Sequence, residues 1–255
     1  MLTAFLTQYV VYPFFIIFTR LAAMIMVLPG FSYSAVSARI RLLITLAIAM
    51  VLFPVLSAYV PAFPVNGMDV AVIVIMEVLL GALLGLGVRI LITAMSTAGD
   101  FISYMTGLQA ATIFDPGAGG QTTAPAMFLT LLGLMIFFGV NLHHTMITAL
   151  VESYALFPPG LAPVDMQDAA YGLLKTTTHA LDLGLRIAAP VAVAGFLVYV
   201  GFGLLNRLVP NIQVFFVTVP ITLWLGIFIL GLSLGGMLSL YAEELAAYGL
   251  IFMQD

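Results

Sequence analysis

Long apolar runs, separated by short groups of charged and turn-forming residues, fill most of the chain. A helix needs about 20 apolar residues to cross the roughly 30 Å hydrocarbon core of a bilayer. The pattern therefore predicts an all-α membrane protein with about six long hydrophobic helices plus semi-polar extensions. The last predicted helix is the clearest, because no charge lies between Arg207 and Glu243. The six segments are 9–29, 42–60, 70–92, 125–142, 183–205 and 214–240.

Two further stretches, 93–113 and 143–157, mix apolar and polar residues. Each is compatible with an extension of the neighbouring helix, a re-entrant segment or a helix at the membrane surface. The hydrophobic period does not distinguish these three alternatives.

Composition agrees with a membrane protein. Of the 255 residues, 63% are hydrophobic and only 7% are charged, against roughly 25% in a soluble domain. No run of basic residues occurs, so we expect no nucleic-acid partner. The chain has no cysteine, which excludes disulfides and thiolate ligands. The first basic residue is Arg20, so we expect no cleaved signal peptide.

The loop charges predict an orientation. Four arginines lie on one side of a six-helix arrangement. The other side receives Lys175 and five acidic residues, which are Asp69, Asp165, Asp168, Glu243 and Glu244. Because basic loops stay in the cytoplasm, both termini are predicted outside it and the 206–213 connection inside it. The four arginines are Arg39, Arg41, Arg89 and Arg207.

Charges within the predicted membrane segments are the first candidates for function. Arg20 lies in the first segment and Glu77 in the third, where a charge costs about 2.5–3.5 kcal/mol on the insertion scale. We expect both to take part in intramembrane charge pairing, with either a channel-lining or inter-subunit role, or a purely structural ion pair. A snorkelling side chain is the third alternative. Asp182 and Arg186, four residues apart, are predicted to pair within one helix.

The sequence favours no enzyme, metal site or cofactor. His143 and His144 are adjacent, so a helix points them about 100° apart and they cannot ligate one metal from one face. We find no nucleophile elbow and no phosphate-binding loop.

Small residues predict two close helix contacts, at Gly81 with Gly85 and at Gly231 with Gly235. The connection 107–123 is unusual for a different reason. Its first half is small and apolar, and its second half is rich in turn residues and glycine. By composition alone it is typical of an exposed connection, although Ile113 and Phe114 would prefer a protein cavity to water.

The order and spacing of several short motifs resemble the FliR family of flagellar type III export gate subunits. The most specific is Asn-Arg-Leu-Val-Pro-Asn-Ile-Gln-Val-Phe-Phe-Val-Thr-Val-Pro at 206–220. The others are Arg20, Pro29-Gly30, Ala38-Arg39-Ile40-Arg41, Gly-Leu-Gly-Val-Arg at 85–89, Gly107-Leu108-Gln109, Phe114-Asp115-Pro116 and Asn141-Leu142-His143.

The resemblance implies a location, partners and a site. It implies a subunit in the bacterial inner membrane, at the flagellar basal body, that joins FliP- and FliQ-like subunits with FlhB and FlhA as neighbours. Together they would pass unfolded export substrates. Residues 1–178 would have a FliP-like fold, and 179–255 would form a FliQ-like hairpin turning at Arg207 and Pro210. The connection 107–123 would plug the closed channel through Gly107, Leu108, Ala110, Ile113, Phe114, Asp115, Pro116, Gly117, Gly119 and Gly120.

A secondary transporter for a small solute is the alternative function. It would need a site at the bilayer midplane built from broken helices and paired ionisable groups, for which Arg20 and Glu77 are the only candidates.

Overall fold

In a computed structural model of the chain, described for residues 7–31, 36–64, 66–109, 122–160, 166–208 and 214–251, the secondary structure is helical throughout. No strand occurs in these ranges, which confirms the predicted all-α class. A π-helical turn, Thr7–Val11, precedes the first α-helix, and a short 3₁₀ turn, Ser57–Tyr59, follows the second. The α-helices are α1 (Tyr12–Val27), α2 (Ala38–Leu56), α3 (Gly67–Thr106), α4 (Ala124–Gly139), α5 (Leu142–Leu156), α6 (Met166–Leu208) and α7 (Val214–Ile251).

Five helices in the described ranges are long and apolar enough to cross a membrane, and the number rises to six if α4 and α5 form one bent span. This agrees with the prediction of about six hydrophobic helices. The bend between α4 and α5 is 63°. It lies next to Asn141, whose φ of 57° is left-handed. Asparagine tolerates this conformation better than most residues, so it can end one helix and begin the next.

Three helices are longer than a single membrane crossing requires. They are α3 with 40 residues, α6 with 43 and α7 with 38. At 1.5 Å per residue, α3 alone is about 60 Å long, about twice the hydrocarbon thickness. These helices therefore extend beyond the predicted apolar segments 70–92, 183–205 and 214–240. The semi-polar stretch from 93 extends α3 as far as Thr106, whereas 143–157 is mostly the separate helix α5.

The chain divides into two compact units, and the first comprises residues 1–90, 141–176 and 249–255. In this unit α1 is the central helix. Its buried face packs into an apolar cluster with residues from α2 and α5. The members of that cluster are Ile17, Leu21, Met24, Ile25, Ala49, Leu56, Leu150 and Tyr154.

The second unit comprises residues 91–140 and 177–248. Here small residues bring the helices close together. A methyl group on Gly133 of α4 would lie 2.9 Å from Met95 Cγ of α3, and one on Gly184 of α6 would lie 2.9 Å from the carbonyl oxygen of Ala94. Neither glycine tolerates a side chain without movement of its neighbour, so the packing depends on both.

Candidate functional site

A buried ion pair joins α1 to α3 in the first unit. Arg20 Nε donates to Glu77 Oε2 at 2.7 Å, and Arg20 Nη2 donates to Glu77 Oε1 at 2.8 Å. The two side chains are 0% and 1% exposed. This two-point contact is the strongest geometry available to an arginine and a carboxylate, because two charge-assisted bonds lie in one plane. The two isolated charges singled out in the sequence are therefore each other's partners.

Two further N–H groups of Arg20 bind the end of α5. Nη1 donates to Ser153 Oγ at 3.0 Å, and Nη2 donates to the carbonyl oxygen of Phe157 at 2.9 Å. Ser153 in turn donates its own proton to the carbonyl oxygen of Leu150 at 2.6 Å. The guanidinium carbon also lies 3.9 Å from the centre of the Tyr154 ring. A cation at a helix C-terminus is favourable, because the last carbonyl groups carry partial negative charge.

Glycines on α3 make the close approach to α1 possible. Glu77, Gly81 and Gly85 are four residues apart and share one face of α3. A methyl group on Gly81 would overlap the carbonyl oxygen of Arg20, and one on Gly85 would lie 2.7 Å from the carbonyl oxygen of Met24. The Gly81 and Gly85 pattern predicted a close helix contact, and the contact is the one that also holds the ion pair.

This arrangement ties α1, α3 and α5 together through one guanidinium. Arg20 has no exposed surface in the chain, so neither a solute nor a partner subunit reaches it without rearrangement. Within the single chain, Arg20 and Glu77 therefore pair with each other. Ser153 and Phe157 were missed, because no local pattern connects them to a residue more than 130 positions earlier.

Most of the predicted plug lies outside the described residues. Gly107 and Leu108 are described: Gly107 follows the end of α3 with a φ of 77°, and its amide donates to the carbonyl oxygen of Tyr104 at 3.3 Å. Left-handed glycine is the usual residue just after a helix. The predicted residues outside the described ranges are Ala110, Ile113, Phe114, Asp115, Pro116, Gly117, Gly119 and Gly120.

The predicted hairpin turn is described only in part. Arg207 is exposed in the last turn of α6, whereas Pro210 lies outside the described residues. Asp182 and Arg186 form the predicted pair within α6, at 2.6 Å and largely exposed. A second contact, between His179 Nε2 of α6 and Glu244 Oε2 of α7 at 3.1 Å, was not predicted, because it joins two helices.

Two other predicted features have simple geometry. The rings of His143 and His144 lie against each other, with centroids 4.2 Å apart. Among the described residues, no group of three or more histidines and acidic residues is placed to hold a metal ion. A methyl group on Gly231 or Gly235 would meet no atom within 4 Å, so the contact predicted for this pair is not made within the described part of the chain.

The long apolar helices define a multi-pass helical membrane protein. A family model described as "Bacterial export proteins, family 1" matches residues 11–248. The chain is 37% identical to the flagellar biosynthetic protein FliR of Caulobacter vibrioides, over 95% of this chain and 96% of that protein. It is 30% identical to FliR of Escherichia coli strain K12, over 82% of this chain and 78% of that protein. It is also 26% identical to the Yop proteins translocation protein T of Yersinia pestis, over 70% of this chain and 68% of that protein.

The chain therefore belongs to the bacterial export proteins, family 1, and the FliR resemblance is confirmed. It is a subunit of a type III secretion export gate. The relatives named here are flagellar or translocation proteins, and nothing in the comparisons favours the solute transporter.

Proposed function

We propose that this chain is the FliR-type subunit of a flagellar export gate in the bacterial inner membrane, within the flagellar basal body. Its similarity to a flagellar FliR over 95% of its length carries the proposal. In this role it assembles with FliP- and FliQ-like subunits beside FlhB and FlhA, and the assembly passes unfolded export substrates. The chain contributes structure rather than catalysis.

Exposed apolar surface on α6 and α7 supports an assembly in lipid. Large apolar side chains on these helices are well exposed in the single chain, and they need either lipid or partner helices around them. The most exposed of them are Tyr171, Leu174, Leu197, Leu208, Trp224 and Leu232. In the proposed assembly, residues 1–178 take the part of a FliP-like subunit and 179–255 that of a FliQ-like hairpin. This division at residue 178 is based on the proposed similarity to FliP- and FliQ-like subunits. It differs from the division of the isolated chain into two compact units.

The buried ion pair supports a scaffolding role in the first unit. Arg20 and Glu77 satisfy each other, and a transporter site would instead need charged groups open to a solute. Glu77 is 1% exposed and Arg20 is 0% exposed. The pair therefore fits a rigid helical frame better than a transport site.

The connection 107–123 is proposed to seal the closed channel. A seal must exclude water and ions yet release reversibly, which small and apolar groups achieve without strong bonds. Opening it exposes apolar surface at about 25 cal/mol per Å², a cost that an engaged substrate can offset. Leu108, Ala110, Ile113 and Phe114 supply the apolar surface. Asp115-Pro116-Gly117 supplies the turn, and Gly119-Gly120 supplies backbone freedom.

Deletion of 110–118 tests the seal. The shortened protein, expressed with its partner subunits, is expected to insert and assemble but to let small solutes leak across the membrane. Assembly is checked by recovery of the complex, and leakage by uptake of a small dye. Cells as tight as those with the intact protein, despite normal assembly, would show that 107–123 is an ordinary connection.

A further inference from the structure

The helices that border the 107–123 connection are joined by a small polar network. Thr123, the residue before α4, donates from Oγ1 to Asp100 Oδ1 of α3 at 3.1 Å. Ser103 Oγ of α3 donates to Thr123 Oγ1 at 2.7 Å. Thr123 Oγ1 also accepts from the backbone amide of Ala126 at 3.4 Å, as the N-cap of α4. One hydroxyl oxygen thus connects the end of α3 to the start of α4.

The number of hydroxyl protons decides which group donates and which accepts in this network. A carboxylate only accepts hydrogen bonds, so the single proton of Thr123 points to Asp100. The lone pairs of Thr123 are then free for Ser103 and for the amide of Ala126. Ser103 has one proton and two acceptors within reach, since the carbonyl oxygen of Gly99 is also 2.7 Å from its Oγ. Asp100 therefore orients the Thr123 hydroxyl, whereas the Ser103 proton is shared between Thr123 Oγ1 and the carbonyl oxygen of Gly99.

Burial makes these hydroxyl groups expensive to separate. Ser103 is 0% exposed and Thr123 is 4% exposed, whereas Asp100 faces outward. A buried hydroxyl that loses all its partners incurs its full desolvation cost, because water cannot replace the bonds. Separation would remove both side-chain partners of Thr123, whereas Ser103 would keep the carbonyl oxygen of Gly99. The backbones are also in contact at the same level, since a methyl group on Gly99 would overlap backbone atoms of Ala126. The side-chain hydrogen bonds and the close backbone contact thus join α3 and α4 at the same level.

We propose that Asp100, Ser103 and Thr123 form a clamp that fixes the separation of the two ends of the 107–123 connection. The clamp positions the connection for sealing, and this second half rests on the proposed function. The three residues are positioning residues. Thr123 is the last residue of the connection, and none of the three is among the side chains proposed to form the seal.

Spin labels on the two bordering helices test the clamp directly. The chain has no cysteine, so a pair introduced at Tyr104 and Met127 is unique. Both side chains are well exposed, at 65% and 60%, so the labels leave the network intact. In the assembled complex, Thr123→Val is expected to broaden the label distance distribution and to raise the population of wider separations about tenfold, equivalent to about 1.4 kcal/mol.

Thr130→Val is the matched control. Thr130 is in the same helix, and its hydroxyl donates to the carbonyl oxygen of Ala126 in its own helix at 2.7 Å. This control should leave the distances unchanged, and Thr123→Ser should restore them, because serine keeps the hydroxyl. If Thr123→Val prevents assembly, Asp100→Ala serves instead, since Asp100 is exposed and its loss removes the acceptor. Distances identical to those of Thr130→Val would overturn the clamp.

Measurement of solute leakage distinguishes failure of the clamp proposal from failure of the proposed sealing function. If the 110–118 deletion leaks and Thr123→Val also leaks, the clamp positions the seal. If the deletion leaks while Thr123→Val broadens the distances without leakage, the positioning half is wrong. If the deletion does not leak, the sealing function fails, and the label distances alone still decide whether the clamp exists.

Discussion

Replacement of Glu77 by glutamine is the most informative change at the buried ion pair. The amide keeps the shape of the side chain but leaves Arg20 charged, and arginine does not lose its proton in proteins. Two charge-assisted hydrogen bonds of 2.7 and 2.8 Å are weakened at a site with no exposed surface. Removing one partner of a buried pair costs about 3–5 kcal/mol, because the remaining charge is uncompensated.

The melting temperature of the isolated chain in detergent measures this cost. For a protein of this size, 1 kcal/mol shifts the melting temperature by roughly 2–4 °C, so Glu77→Gln is expected to lower it by roughly 6–20 °C. The matched control is Asp182→Asn, the same acid-to-amide change in a pair whose members are 51% and 59% exposed. An exposed pair of this kind contributes about 0–1 kcal/mol, so the control should change little.

A double variant tests whether charge compensation is the cause. Arg20→Met combined with Glu77→Leu removes both charges, and a buried pair replaced by apolar residues is often near neutral. The double variant also loses the bonds from Arg20 to Ser153 and Phe157, at about 1.5–3 kcal/mol each because the donor is charged. Its loss of stability should nevertheless be smaller than the sum of the losses measured for Arg20→Met and Glu77→Leu separately, because each single variant leaves one buried charge without its partner. A double variant whose loss equals the sum of the single losses, or a Glu77→Gln no worse than Asp182→Asn, would refute the reasoning.

Two further predictions concern packing and orientation. Gly81→Ala should lower stability by about 1–3 kcal/mol, because its methyl group overlaps the carbonyl oxygen of Arg20, whereas Gly231→Ala in the isolated chain should be neutral or slightly stabilising; melting temperatures of both check this. A cysteine probe at Asn211 should be labelled from the cytoplasm, because Arg207 belongs to the basic set of loops. Labelling from the periplasm alone would reverse the proposed orientation.

The class of fold followed from the sequence because bilayer thickness and apolar runs are directly comparable. The lengths of the helices did not. Residues 93–106 are semi-polar but contain no proline, so α3 continues until Gly107 provides a left-handed residue. The positions of charged residues mark where an apolar membrane segment ends. They do not mark where the helix itself ends when the helix is longer than one membrane crossing. The glycine signal at 107 was present and would have located that end.

Tertiary partners limited the prediction of the site. The unusual positions of Arg20 and Glu77 identified both residues, since an unpaired charge is costly in a membrane helix. Their mutual contact depends on how α1 and α3 pack, which the spacing within either helix does not specify. Thr123 carried a local signal, because a threonine before Ala-Pro is typical of a helix start. Its bonds to Asp100 and Ser103 belong to the packing of α3 against α4 and were not predictable from that signal.

Isolation of the intact complex from native membranes tests the central claim most directly. A tagged copy of the full chain, solubilised in a mild detergent and analysed by native mass spectrometry, is expected to carry FliP- and FliQ-like subunits in a fixed ratio. The Glu77→Gln variant should give less of the same complex, and Asp182→Asn should give the same amount as the unaltered chain. Recovery of the chain alone or as a homo-oligomer, under conditions that preserve other membrane complexes, would contradict the assignment as an export gate subunit.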